Sequence, residues 1–167
     1  MSNKLYEQTQ YLFPDLKDVP LPSDLTDFDT FFDWINTNNA HLQALVFEEF
    51  YENKIDECRT LLDAGINVVA LQNQIDQTIE RINSEYSSAD NMDDYEGDIL
   101  DIEDRHYDAF FDQIQRAAEE KELTTLVISG ENPYWMVVKD DQEAVVTLID
   151  AFNENFKDSS LELSEVE

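Results

Sequence analysis

The chain has 167 residues, of which 39 are acidic and 10 are basic, so its formal net charge is −29 at pH 7. A surface this negative repels phosphate backbones and anionic headgroups, which argues against direct binding to nucleic acid or membranes. Apolar residues make up 42 % of the chain, enough for the core of one folded domain. The low numbers of glycine and proline, three and four, favour long helices over tight turns.

The sequence predicts a cytoplasmic protein. No apolar run approaches the length of about 20 residues that spans a bilayer. The first ten residues lack the basic start and apolar stretch of a secretory signal. A single cysteine, Cys58, cannot form an internal disulfide, which fits a reducing compartment.

The first half of the chain favours helices. Residues 1–25 contain three prolines and predict an irregular N-terminal arm, with a short helix near residues 4–11. Residues 26–86 form a helical half with three predicted helices. The first begins at Thr26 or Asp27, the second covers about 40–63, and the third follows an Asn67 cap. The third helix has a narrow apolar seam at Val68, Leu71, Ile75, Ile79 and Ile82.

The second half predicts a βαββα order. An acidic loop at 87–97 precedes a short strand near 98–103, and a helix follows with its apolar face between residues 107 and 118. Two β-branched segments around a turn at 130–133 predict a β-hairpin near 123–139. A capping motif at 140–143 opens a final helix, and 158–167 is expected to be a frayed acidic tail. The whole predicts a single α+β domain over 1–157, helix-rich, with about five helices and a small antiparallel sheet.

Negative charge is concentrated after residue 84. Residues 1–84 hold 15 acidic and 5 basic side chains (−10), whereas residues 85–167 hold 24 and 5 (−19). Eight carboxylates lie between residues 90 and 104, with no lysine or arginine among them. A calcium loop with Gly97 at its sixth position would begin at Met92, which offers no oxygen ligand. We therefore expect neither a metal site nor a cofactor.

The usual catalytic motifs are missing from the sequence. Three glycines cannot build a phosphate-binding loop, and neither His41 nor His106 has the spacing of a metal-ligating pair. Carboxylates flank His106, which is the arrangement of a general base, but a surface histidine in an acidic protein needs no catalytic role. Cys58 lacks the surroundings of a reactive thiol and is expected to be structural.

The sequence therefore predicts a non-enzymatic acidic protein that binds and inhibits a basic protein, such as a toxin, a nuclease or another nucleic-acid-binding protein. An immunity protein or a nucleic-acid mimic would act in this way. The alternative is a divalent-cation-binding or small-molecule-binding domain, including an enzyme whose site combines dispersed carboxylates. A solvated acidic loop without a partner is the simplest alternative. The predicted contact residues are one group of carboxylates and two aromatic anchors: Asp93, Asp94, Glu96, Asp98, Asp101, Glu103, Asp104, Tyr134 and Trp135.

Overall fold

The structure is a computed structural model that describes residues 3–45, 55–87, 95–130 and 133–166, excluding the side chains of 86–87 and 95–103. Within these ranges six α-helices and four strands confirm the α+β class. In chain order they are α1 Lys4–Leu12, α2 Phe28–Ile35, β1 Gln43–Ala44, α3 Arg59–Asp63, α4 Val68–Ser87, α5 Tyr95–Glu119, β2 Leu123–Ser129, β3 Tyr134–Lys139, α6 Gln142–Asn155 and β4 Glu162–Glu165. Short 3-10 helices lie at Pro14–Leu16 and Ile55–Glu57.

The four strands form one antiparallel sheet in the order β1-β3-β2-β4. The predicted hairpin is its centre, because β2 and β3 pair from Leu123↔Lys139 to Ile128↔Tyr134. The outer strands are short, with β1 pairing to β3 and β4 to β2.

Helices cover both faces of the sheet. Successive residues of a strand point to opposite faces, so Leu126 and Ile128 pack with α1, α2 and α6, whereas Val127 packs with α3, α4 and α5. The burial of both faces explains why β2 and β3 have nearly continuous apolar sequences rather than alternating ones. We call α1–α2–α6 the first layer and α3–α4–α5 the second layer.

Side-chain caps begin three of the helices. Asp27 accepts a hydrogen bond from Thr30 N at 2.9 Å, and Asn67 accepts one from Ala70 N at 3.0 Å, which confirms both predicted caps. At α6 the cap is Asp141, which accepts from Ala144 N at 3.1 Å, one residue beyond the start of the predicted motif.

The strand predicted near 98–103 is wrong, because these residues belong to α5. The alternation of Leu100 and Ile102 with acidic residues spans too few positions to outweigh the helical pattern that follows it. The predicted acidic loop at 87–97 is also shorter than expected. Ser87 still belongs to α4 and Tyr95 already belongs to α5, while residues 88–94 lie outside the described part.

The predicted helical half at 26–86 also contains a strand, and the helix predicted over 40–63 is wrong. Residues Gln43–Ala44 pair with β3, and within the described residues of this segment the α-helix covers only Arg59–Asp63. Leu45 N donates to Pro133 O at 2.8 Å and continues the pairing. Of the described apolar residues in 40–63, Leu45 therefore lies at the sheet edge and Leu61 lies in the short helix α3.

The helix predicted near residues 4–11 is confirmed, whereas the C-terminal tail is more regular than predicted. The arm at 1–25 contains α1, whose Leu5 and Tyr6 are buried in the core. The tail at 158–167 contains β4, which buries Leu163. The outer edge of β4 is covered by Asn153, whose side chain accepts from Leu163 N at 2.8 Å and donates to Leu163 O at 3.1 Å. The amide thus satisfies the backbone groups of Leu163 that a neighbouring strand would otherwise bond.

Candidate acidic interface on α5

The seven predicted contact carboxylates fall into three groups in the structure. Asp93 and Asp94 lie outside the described residues. Four others have their backbone in the first turns of α5 while their side chains lie outside the described part: Glu96, Asp98, Asp101 and Glu103. Asp104 is described in full and is exposed. The acidic segment therefore continues into a long helix, where Asp104 can be compared with its neighbours.

A row of three carboxylates follows the exposed side of α5. Asp104, Asp108 and Asp112 are each exposed and are spaced four residues apart. Residues four apart on a helix are neighbours on one face, with Cβ atoms roughly 5–6 Å apart. We call Asp104, Asp108 and Asp112 the α5 acidic row. Only its first member, Asp104, is among the contact residues predicted from the sequence.

The buried side of α5 lies beside the row and fixes the row's position on the helix. Phe110, Phe111 and Ile114 are buried in the second layer, and they fix which side of the helix faces the sheet. Next to the row, Gln115 accepts a hydrogen bond from Thr125 N of β2 at 2.9 Å. The acidic side of α5 is thus held rigidly to the central hairpin.

The charges of the row act on one another. Partial burial, followed by the charges of Asp112 and Asp104, raises the pKa of Asp108 above its ordinary value. A raised carboxyl pKa means that the ionised form is disfavoured. At neutral pH the row therefore contains unrelieved repulsion between like charges.

The ion pairs within the described residues do not include a carboxylate of this row. Asp63 pairs with Arg59 at 3.0 Å, Glu85 with Arg105 at 2.9 Å, and Glu154 with Lys157 at 3.1 Å. In that part of the chain, no lysine or arginine pairs with Asp104, Asp108 or Asp112. The three carboxylates of the row therefore have no ion-pair partner among the described residues.

Trp135 is not available as an exposed anchor, and Tyr134 is only partly exposed. Their side chains point to opposite faces of the sheet, as the sequence predicts for neighbouring strand residues. Trp135 is fully buried in the second layer beside Phe110, at a centroid distance of 5.8 Å. Tyr134 is half-buried against Phe28 and Phe32 of the first layer, at 5.0 and 5.5 Å. The helices on both faces of the sheet therefore cover Trp135 completely and Tyr134 in part.

The buried histidine His41 joins two loops. Its Nε2 lies 2.9 Å from both carboxylate oxygens of Asp15, and its ring stacks on Phe13 at 4.1 Å. His41 N donates to Asn36 Oδ1 at 2.9 Å. These contacts fasten the segment after α2 to the 3-10 helix after α1. The histidine–carboxylate pair therefore has a clear structural role.

The remaining candidates for chemistry are also packed into the structure. Cys58 is fully buried, and burial raises its pKa to about 11, so the sulfur stays a thiol at neutral pH. His106 lies against α4, with Nε2 2.8 Å from Asn83 Oδ1. Among the side chains that the structure describes, no three histidine, cysteine, aspartate or glutamate residues converge closely enough to hold a metal ion.

Comparisons with known proteins return no match to a family model, to a curated protein or to a solved structure. Within the described ranges, no helix is both long enough and apolar enough to cross a membrane.

Proposed function

We propose that this chain is a non-enzymatic protein that binds a basic protein through the α5 acidic row and blocks that partner's cationic surface. The observation that carries the proposal is the exposed, mutually repelling set of Asp104, Asp108 and Asp112. A toxin, a nuclease or another nucleic-acid-binding protein is the expected class of partner, because such proteins present basic surfaces to phosphates.

The electrostatics favour a cationic partner. Repulsion within the row lowers the stability of the free protein, and a partner's lysine or arginine side chains would remove it on binding. Charge complementarity of this kind raises association rates and selects partners by the sign of their charge. The net charge of −29 extends the attraction beyond the row itself.

The spacing of the row is compatible with a surface that normally holds a nucleic-acid backbone. Eight residues of helix separate Asp104 from Asp112, and at about 1.5 Å per residue this is roughly 12 Å. One strand of duplex DNA places about four phosphates along the same length. The row is thus sparser than a phosphate backbone, yet it lies on one straight, rigid element.

The proposal is tested by parallel capture with two forms of the full-length chain. One is the wild type, and the other carries Asp104→Asn, Asp108→Asn and Asp112→Asn, which keep the side-chain size and remove three charges. Proteins from the source cell that bind the wild type and are lost with the triple variant are identified, purified and titrated against both forms. We expect basic proteins, with the affinity of the triple variant at least tenfold lower.

A second triple variant controls for net charge. Asp18→Asn, Asp29→Asn and Asp33→Asn remove the same number of charges from exposed positions in the first layer. We expect this control to retain most of the affinity. Equal losses for the two triple variants, or a captured set without basic proteins, would contradict the proposal.

A further inference from the structure

A second acidic surface lies on the other side of the sheet, between α1 and α6. Here a cavity of about 430 Å³ is lined by Gln8, Tyr11, Asp141, Glu143, Ala144 and Thr147. We call it the Tyr11 furrow. Unlike the α5 acidic row, it combines carboxylates with an exposed aromatic ring.

Tyr11 is the most unusual residue of the furrow. It is 63 % exposed, although the other aromatic side chains of the first layer are buried or half-buried. Its hydroxyl donates a hydrogen bond to Asp141 Oδ2 at 3.1 Å, which holds the ring at the mouth of the cavity. The hydrogen bond to Asp141, and then the charges of Asp141 and Glu143, raise the pKa of Tyr11. Both carboxylates therefore act on the same phenol group.

Asp141 is held in place by two donors. Its Oδ1 accepts from Ala144 N as the cap of α6, and its Oδ2 accepts from Tyr11. A carboxylate has about four acceptor sites, so Asp141 can still accept from a ligand. In the described part of the chain, no lysine or arginine forms an ion pair with Asp141 or Glu143.

The two ends of the α1–α6 pair differ in charge. Beyond Gln8, whose amide donates to Ala144 O at 3.3 Å, a second cavity of about 700 Å³ is lined by Lys4 together with Asp150 and Glu154. That end already contains a basic side chain. The Tyr11 furrow is lined by two carboxylates and no basic residue, so charge complementarity favours a cationic occupant there.

We propose that the Tyr11 furrow binds an arginine side chain of the basic protein partner, with the guanidinium stacked on Tyr11 and hydrogen-bonded to Asp141 and Glu143. Arginine suits this arrangement better than lysine, because its planar group stacks on aromatic rings and donates two parallel hydrogen bonds to a carboxylate. The inference rests on the proposed function for the class of partner, and it assigns a separate contact on the opposite layer.

The test uses fluorescein-labelled hexa-arginine and hexa-lysine peptides, titrated into the full-length protein by fluorescence anisotropy. Tyr11→Leu removes the ring without changing the net charge. We expect it to weaken hexa-arginine binding about two- to fivefold, the size of an exposed cation–π contact, and to leave hexa-lysine binding nearly unchanged. Glu143→Gln should weaken hexa-arginine binding more than Glu120→Gln, a matched change at an exposed position after α5.

The outcomes separate this inference from the proposed function. If Tyr11→Leu leaves the preference for arginine over lysine unchanged, or Glu143→Gln does no more than Glu120→Gln, the arginine site is wrong. The triple variant of the α5 acidic row should weaken both peptides equally, because it acts through charge alone. Tyr11→Leu could abolish the preference for hexa-arginine over hexa-lysine while the triple variant has no effect on either peptide. That result would support the arginine site and contradict the docking role of α5.

Discussion

The two layers that cover the sheet are packed from different residues. The first layer is rich in aromatic contacts, with Phe31 within 5.5–6.2 Å of the rings of Tyr6, Trp34, Phe152 and Phe156. The second layer relies more on aliphatic residues, including the α4 seam at Val68, Leu71, Ile75 and Ile79.

The acidic surfaces of the two layers differ as well. The second layer presents the α5 acidic row, which offers charge alone, whereas the first layer presents the Tyr11 furrow, which adds a ring. The α5 acidic row should therefore depend more strongly on salt, and the Tyr11 furrow should discriminate more between cations.

The largest expected effect is on the aromatic core of the first layer. Phe31→Ala should lower the free energy of unfolding by about 3–5 kcal/mol, because it leaves a cavity where a fully buried ring stood. Phe111→Ala, in the second layer, is the matched change at a residue that is 2 % exposed. We expect Phe31→Ala to cost more by about 1 kcal/mol, since its ring has more aromatic neighbours. Urea denaturation measures both, and a larger loss for Phe111→Ala would reverse the comparison of the layers.

The second-largest expected effect on the free energy of unfolding comes from the contact between His41 and Asp15. Asp15→Ala leaves Nε2 of the buried His41 without its acceptor, at a cost of about 1–3 kcal/mol. The same denaturation measurement on Asp18→Ala, an exposed residue of the same segment, should show little change. Equal stabilities of these two variants would mean that the His41–Asp15 contact does not fasten the first layer.

The hydrogen bonds that cover the outer edge of β4 are expected to contribute less to the free energy of unfolding. Asn153→Ala removes two hydrogen bonds to the backbone of Leu163, and we expect a loss of about 1 kcal/mol. The uncovered edge should also increase self-association, which light scattering detects. Asn73→Ala, at an exposed position of α4, is the control for the change in helix propensity. No difference between the two variants would show that the amide does not protect β4.

The smallest expected effect concerns the second layer and depends on pH. The folded-state pKa of Asp108 lies above the ordinary value of 3.8, so ionisation of Asp108 is less favourable in the folded state than in the unfolded chain. Its contribution therefore lowers stability as pH rises from 3.8 through the raised value. Asp108→Asn should be more stable than wild type at pH 7 by about 0.5 kcal/mol, and less so below pH 3.8.

The measurement is urea denaturation of Asp108→Asn and wild type at both pH values. Asp18→Asn, at an exposed position outside α5, is the control for the loss of one negative charge. A constant difference between Asp108→Asn and wild type across this pH range would contradict the repulsion within the row.

The parts of the fold that depend on local pattern could be predicted from the sequence. The hairpin, the α4 seam and the caps at Asp27 and Asn67 each follow from spacing or residue type within a short segment. The outer strands could not be predicted in this way. β1 and β4 cover few residues, and their pairing depends on a central hairpin that is distant in sequence.

The same limit applies to the two acidic surfaces. The sequence showed an excess of negative charge up to residue 104. Because 98–103 was predicted to be a strand, the four-residue helical spacing of Asp104, Asp108 and Asp112 was not recognised. Tyr11 lies in the predicted N-terminal arm. Its exposure could not be predicted, because it depends on where α6 packs against α1. Trp135 was expected as an anchor because its exposure was judged from alternation, although the nearly continuous apolar sequence of β3 indicates a strand buried on both faces.

The salt dependence of partner binding tests the central claim most directly. The dissociation constant of an identified basic partner is measured from 50 to 300 mM salt for wild type and for the triple asparagine variant of the α5 acidic row. If the row docks the partner, the wild type shows the steeper loss of affinity with salt, and the two curves approach each other at high salt. Parallel curves with equal affinity at every salt concentration would contradict a docking role for Asp104, Asp108 and Asp112.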